Sequence, residues 1–380
     1  MKTSQIATSI FILFILVFTQ CKKSGSHAML ETVNGHNVIH CDISKVKDSI
    51  DLPLSDLVKD CELVQLETND QSIFKGTHAV GISPNYIAIK SNDYPAITVK
   101  LFSRDGKFIR NIGAIGKGPG EYQSLYGIQL DEASNRIYLT PFANARYIQV
   151  FDLEGNALPE IPLAYQQTKC RVYVKDNVVT VLSMPFNDQI PPAYQQTTGG
   201  KVIQELPRMQ QLILRPDFSS EISSDYNADA FDMYVMGWGK KTPDTLYHYE
   251  TDKNELVPEF VVTNGDTRIG SWSRELKSHY YAFLFDKPYQ GKKVIVDKGN
   301  LSANFFRIIN DYYGGFEVNK FFMSNNGMFI SAIPSIDLMK TIDDILKKNE
   351  VDKKTYDRLA QVRKSLNEND NEILFIGEMK

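Results

Sequence analysis

Val99-Lys100-Leu101-Phe102-Ser103-Arg104-Asp105-Gly106-Lys107 returns as Ile148-Gln149-Val150-Phe151-Asp152-Leu153-Glu154-Gly155-Asn156. The offset is 49 residues from Phe102 to Phe151, and again from Gly106 to Gly155. Each copy reads as a strand, a turn carrying an acidic residue and then Gly, and the start of a new strand. A third copy, Thr245-Leu246-Tyr247-His248-Tyr249-Glu250-Thr251-Asp252-Lys253-Asn254, keeps the strand and puts Asn where the others have Gly. Glycine suits such a turn because it enters the left-handed region freely, and Asn tolerates it better than most residues.

Outward from this repeat the chain is a series of short strands. Tyr86-Ile87-Ala88-Ile89-Lys90, Ile97 to Phe102, Arg136-Ile137-Tyr138-Leu139-Thr140 and Tyr147 to Phe151 are rich in β-branched and aromatic residues. That enrichment, with partial alternation, favours strands over helices. Asn85, Asn135 and Asn177 each precede such a run and are expected at turns in the left-handed region. A period near 50 with several strands per unit is the signature of propeller blades.

One segment breaks the pattern. Ile336, Leu338, Met339, Ile342, Ile345 and Leu346, then Tyr356, Leu359, Val362 and Leu366, fall at helical spacing among Lys, Asp and Glu. They predict two helices within an insert of about residues 337–370. Residues 58–380 less this insert leave 289 residues, about 5.9 units of 49. The expected fold is therefore all-β, a six-bladed β-propeller over residues 51–380 with a short α-helical insertion in the last blade. The strand at 372–377 has no partner nearby in sequence. Pairing it with a strand near 62–67 would close the ring and protect the sheet edges.

The N-terminus reads as an export signal over residues 1–20. Lys2 is followed by an apolar run, Ile10 to Phe18, too short to span a bilayer as a helix. Thr19-Gln20-Cys21 comes next. A cysteine placed there resembles a lipobox, with Cys21 as the lipidated residue, although Gln20 stands where a small residue is usual. A plain secretory signal and an uncleaved anchor are the alternatives. Residues 21–50 are polar, lack sustained periodicity and are expected to form a tether. Lys22-Lys23 after the cysteine favours a periplasm-facing position on the outer membrane.

Composition removes several classes. Net charge is −4 with both signs interspersed, and no dense Lys/Arg run marks a nucleic-acid binder. There is no CxxC pair, and Cys41, Cys61 and Cys170 are as well read as small buried side chains as a Cys41–Cys61 bridge. No HExxH or Gly-x-Ser-x-Gly occurs, and no catalytic residue is assigned.

Gly113-Ala114-Ile115-Gly116-Lys117-Gly118-Pro119-Gly120-Glu121-Tyr122 is the most distinctive stretch. It lacks P-loop and Rossmann spacing, and Pro119 removes an N–H that a phosphate cradle would use. It reads first as a tight inter-blade loop, and second as a ligand-binding loop presenting Lys117, Glu121 and Tyr122. His78 and His248 lie in or beside strands and are expected to be structural. The pairs Tyr280-Tyr281, Phe305-Phe306, Tyr312-Tyr313 and Phe321-Phe322 are expected to put one ring of each into the core, because neighbours on a strand face opposite ways.

Together Asp51 to Val58, Val64-Gln65-Leu66-Glu67-Thr68, Phe102 to Ile112, the glycine run and the ending Asp370 to Ile376 resemble the six-bladed propeller lipoproteins of gut-type Gram-negative bacteria, a family related to NHL-repeat propellers. The resemblance is strongest through residue 160 and at the C-terminus, and weakens over 185–300. It implies a lipid anchor and a propeller but no settled activity. Two functions follow as expectations. One is an envelope-anchored binding or scaffold module for a protein, peptide or glycan partner. The other is a metal-dependent lyase or lactonase of NHL type, with a channel ion held by histidines of different blades. No cofactor is expected, and the linear sequence leaves the channel ion open.

Overall fold

The computed structural model describes residues 27–380, except 34, 92, 94–95, 187, 210–211, 213–218, 227–229, 238–242 and 319–321. The export signal, Cys21 and Phe321 lie outside the described residues.

Four strands and a helical turn come first: β1 (Met29–Val33), β2 (His36–Asp42), β3 (Ser49–Pro53), α1 (Leu54–Leu57) and β4 (Glu62–Gln65). The first sheet is β5 (Thr77–Ile82), β6 (Tyr86–Ser91), β7 (Val99–Ser103) and β8 (Phe108–Asn111). A two-stranded ribbon, β9 (Ala114–Ile115) and β10 (Glu121–Tyr122), leads to the second sheet. That sheet is β11 (Leu125–Asp131), β12 (Arg136–Pro141), β13 (Ala145–Phe151) and β14 (Ala157–Gln167). The third is β15 (Cys170–Lys175), β16 (Val178–Ser183), β17 (Ala193–Thr197) and β18 (Val202–Glu205). The fourth is β19 (Glu221–Ser223), β20 (Phe231–Met236), β21 (Thr245–Glu250) and β22 (Glu255–Asn264), with β23 (Thr267–Arg268) beside β22. The fifth is β24 (Ser271–Glu275), β25 (His279–Leu284), β26 (Lys293–Asp297) and β27 (Ala303–Asn310), with β28 (Phe316–Glu317). The sixth is β29 (Met323–Asn325), β30 (Met328–Ile333), β31 (Ile373–Glu378) and β4.

Among the described residues there are thus six sheets built on four antiparallel strands, in a propeller-like all-β arrangement. The sixth joins the two ends of the chain, Leu374 opposite Val64 and Ile376 opposite Glu62. Each sheet packs face to face on the next. Ile87, Ile89 and Phe102 of the first share an apolar cluster with Ile330, Leu374 and Ile376 of the sixth. Ala88, Val99 and Leu101, on the opposite face of the first, cluster with Ile137, Leu139 and Phe151 of the second. Corresponding clusters follow between the second and third, third and fourth, fourth and fifth, and fifth and sixth sheets. Both faces of a sheet are therefore covered, and its strands read as continuous apolar runs rather than clean alternation.

The repeat is visible in three dimensions. Phe102 and Phe151 are both buried, at equivalent places in their sheets. Gly106 and Gly155 have φ of 90° and 84°, and Asn254 at the third copy has φ of 51°. Asn135 and Asn177 are left-handed as well, at 56° and 62°. Asn85 is not among the left-handed residues. Instead its backbone N–H donates to Glu132 on the neighbouring sheet.

Residues 29–53 correct the tether expected there. β2 pairs in parallel with β22, and β3 in parallel with β27, so both extend existing sheets at their outer edges. Val38 and Cys41 point into the core while Asn37 and His40 remain nearer solvent. The partner strands lie more than 200 residues away in sequence, and this pairing leaves no local periodicity to read. Cys41, Cys61 and Cys170 are free thiols, and burial pushes each up to about 12.

Two helices, α2 (Ser335–Lys348) and α3 (Lys353–Ser365), lie between β30 and β31. Leu338 and Ile342 of α2 and Leu359 of α3 pack with Phe375 and Tyr313. Asn349 ends α2 in the left-handed region, and Asp352 caps α3 by accepting from the Thr355 N–H at 3.1 Å. No helix among the described residues is long and apolar enough to cross a membrane.

Candidate functional site: a polar centre where the sheets converge

The first strand of each sheet is an edge strand, and in five of the six sheets these edges are neighbours. β5 packs near β11 and β29, β11 near β15, and β15 near β19. Charged side chains concentrate there, which is unusual because burying a charge without a partner is expensive.

Near the starts of these strands the charge is mostly positive. Lys169, in the turn before β15, donates to Glu221 Oε1 and at 2.9 Å to the Ser220 carbonyl. Tyr126 of β11 donates to the other oxygen of Glu221 at 2.7 Å. Arg171 of β15 donates through Nε to the Ile222 carbonyl at 3.1 Å and stacks over the Tyr126 ring, 4.7 Å from its centroid. Lys90 of β6 is only 2% exposed. Burial, with the charge of Arg171 nearby, pulls its ammonium down to about 8. His78 occupies the bulge between Thr77 and Ala79 of β5. The residue is exposed to solvent although strands crowd it. Burial among the strands, then the charges of Lys90 and Arg171, push it down to about 4, so it is neutral at pH 7.

Further along, the centre turns acidic. Asp225 follows β19 and Asp232 lies in β20, 2% and 1% exposed. The Asp225 N–H donates to Asp232 Oδ1, and the Asp232 N–H to the Asp225 carbonyl at 3.0 Å. Asp225 Oδ1 accepts from the N–H of Tyr226 at 2.9 Å and of Asn326 at 3.2 Å. Asp232 Oδ2 has no hydrogen-bond partner among the described residues. Burial raises both carboxyls, Asp225 raises Asp232 further, and Arg274 of β24 opposes the rise in each. Two carboxylates so close in a dry site do not both ionise easily, and the pair retains a proton well above the ordinary carboxylate range.

A third group adjoins the fourth and fifth sheets. His248 meets Glu275 at 2.8 Å and Glu259 at 3.4 Å, and Lys298 donates to Glu275. Burial opposes the charge on His248, but the two carboxylates outweigh it and raise its pKa. His248 is thus a paired residue of the sheet interface.

The loop singled out in the sequence lies elsewhere, between the first and second sheets. Tyr122 is core rather than ligand surface. Its hydroxyl accepts from the Val99 N–H at 3.1 Å and donates to the Ile112 carbonyl at 3.2 Å. Glu121 accepts from the Gly118 N–H at 2.7 Å and so braces its own loop. Lys117 is exposed. These three residues do not come together with the central cluster. Of the aromatic pairs, Tyr280 and Tyr281 are both buried, in clusters on opposite faces of the fifth sheet. Phe306, Tyr313 and Phe322 are buried, with Phe305 and Tyr312 half-buried.

Among the described residues no three His, Cys, Asp or Glu side chains are placed to hold a metal ion. What the centre offers is hydrogen-bond donors and charge of both signs. The sequence reading missed it because its members are single residues from different sheets. One signal was available: Lys90 stands next to the end of a largely apolar strand, at a position where its neighbours are buried.

A family model described as a domain of unknown function, DUF4934, matches residues 36–277. No curated protein matches the chain. Among solved structures, a protein of Bacteroides fragilis described as exported is similar over 87% of this chain and 100% of its own, at 16% identity and a TM-score of 0.59. The WD40 domain of Toxoplasma gondii coronin is similar over 75% of this chain and 72% of its own, at 9% identity and a TM-score of 0.40. The WD40 β-propeller domain of Doa1 covers 72% of this chain and 79% of its own, at 15% identity and a TM-score of 0.39.

Proposed function

The chain belongs to the DUF4934 family, and we propose that it is an envelope-anchored binding or scaffold module that engages a protein, peptide or glycan partner at its polar centre. In this reading the six sheets are the blades of a closed six-bladed propeller of the NHL-related lipoprotein kind. Cys21 carries the lipid, and the propeller faces the periplasm from the outer membrane. The export-type N-terminus supports the location, as does a fold shared with an exported protein of Bacteroides fragilis.

The observation that carries the function is the convergence itself. Side chains from five sheets, His78, Lys90, Tyr126, Arg171, Asp225 and Arg274 among them, interact across the centre, and Asp225 accepts there from the Asn326 backbone of the sixth. Fold alone does not specify function, whereas a concentration of polar groups on a rigid scaffold is what recognition needs.

Photo-crosslinking in intact cells tests this. A crosslinking residue in place of His78 is expected to give an adduct. One in place of Ile203, exposed on outer strand β18, is expected to give none. Adducts at 203 and none at 78 would move the interaction to the rim and contradict the proposal.

A further inference from the structure

The positive end of the centre carries a charge imbalance that its own residues do not resolve. Lys90, Lys169 and Arg171 gather around one carboxylate, Glu221. Both oxygens of Glu221 are already engaged, Oε1 by Lys169 and Oε2 by Tyr126. Among the described residues the side chain of Lys90 has no hydrogen bond or ion pair, although the residue is 2% exposed. Arg171 is held in place through Nε and the face of its guanidinium. Its two terminal nitrogens make no hydrogen bond to a described residue. A guanidinium fixed in this way presents paired donors that match a planar oxyanion. An ammonium buried beside it adds a point charge that a neutral ligand would leave uncompensated.

We propose that this end of the centre, between β5, β11, β15 and β19, is a site for an oxyanion carried by the partner, a carboxylate or a phosphate group, held by Lys90 and Arg171 beside His78. The inference rests on the reading that the centre engages the partner, and it names the group recognised. The anion offsets the repulsion between the two cations, and the neutral imidazole of His78 is free to donate a hydrogen bond to it. Metal cations and basic peptides are disfavoured at this end by the same charges. Single-sign clefts in low-dielectric surroundings concentrate ligands of the opposite sign.

Titration calorimetry on the full mature chain, with glucuronate, inorganic phosphate and glucose as probes, tests the site. At least one anion is expected to bind, weakening as salt is added, and glucose is expected not to. Glucuronate alone would identify a carboxylate, and phosphate alone a phosphate group. Lys90→Met and Arg171→Met should each weaken the anion at least tenfold. Lys90→Arg should retain binding, and Lys175→Met, at an exposed lysine on β15, should leave it unchanged. Melting curves verify that each variant is folded, and Lys90→Arg against wild type remains decisive if Lys90→Met is not. Absence of binding by both anions, or binding that survives both Met substitutions, overturns the proposal. Failure here together with a His78 adduct in cells would remove the oxyanion and leave the central binding reading standing.

Discussion

The backbone N–H of Asn326 donates to Oδ1 of Asp225 at 3.2 Å, a contact between the fourth and sixth sheets that passes over the fifth. Such a bond is possible only where the inner ends of the sheets meet, and it fixes one member of the buried Asp225–Asp232 pair. The same crowding raises both carboxyls.

That rise has a sign. An acid whose pKa is raised on folding holds its proton in the folded state at pH values where the unfolded chain has lost it. Stability therefore falls as pH rises from the ordinary carboxylate range toward neutrality. Asp232→Asn removes one of the two charges and is expected to flatten this fall. The variant should gain on the order of 1–2 kcal/mol over wild type at pH 8 and little at pH 4. Urea unfolding at the two pH values measures it.

Lys90 acts in the opposite direction. Its pKa falls from 10.5 to about 8 on folding, so between those values the unfolded chain binds more protons and stability rises with pH. The rise is on the order of 3 kcal/mol. It should be missing from Lys90→Met, which is also expected to be more stable than wild type at pH 7. Unfolding curves of the pair from pH 7 to 10.5 test both points.

Glu221→Gln removes the carboxylate to which Lys169, 1% exposed, donates. Removing the carboxylate beside a buried ammonium costs on the order of 2 kcal/mol when that carboxylate is itself partly exposed, above the effect of an exposed pair. Arg307→Gln, which breaks the exposed pair with Asp51, should cost less than about 1 kcal/mol. Comparing the two by denaturant melts separates the central pair from surface pairing.

The repeat's two turn glycines make a matched test. A methyl at Gly106 would lie 2.3 Å from the carbonyl oxygen of Gln65, on the strand that joins the chain ends. At Gly155 it would meet the flexible Arg110 side chain at 3.2 Å and the Asn111 carbonyl oxygen at an ordinary contact distance of 3.6 Å. Both positions have positive φ, so Ala is strained at each, by about 1 kcal/mol. Gly106→Ala adds a backbone clash and should cost roughly 2 kcal/mol more than Gly155→Ala. Equal losses would mean that β4 is not held against the first sheet.

Strands and turns were legible in the sequence because their signals are local. Gly106, Gly155 and Asn254 sit in left-handed turns whose chemistry one residue reveals. The pairing of β4 with β31 could be expected from a strand lacking a neighbour. β1, β2 and β3 could not, since the parallel pairing of β2 to β22 and of β3 to β27 is set by distant partners, and β1 is held only as the antiparallel neighbour of β2. The centre was illegible for a related reason. Its residues contribute one or two to each sheet, and a lysine next to the end of a largely apolar strand looks like a solvated terminus until the neighbouring sheet is in place. The loop at 113–122 misled because glycine marks a backbone requirement. Gly113 and Gly120 supply positive φ, and Tyr122 fills the core.

The claim on which the rest depends is that side chains from separate sheets share one centre. The ring signals of His78, followed by NMR across pH, test it most directly. The imidazole should titrate near pH 4 in the wild type, and its midpoint should move upward in Arg171→Met, a residue of the third sheet. A midpoint near the usual 6.5 in both proteins would contradict the account.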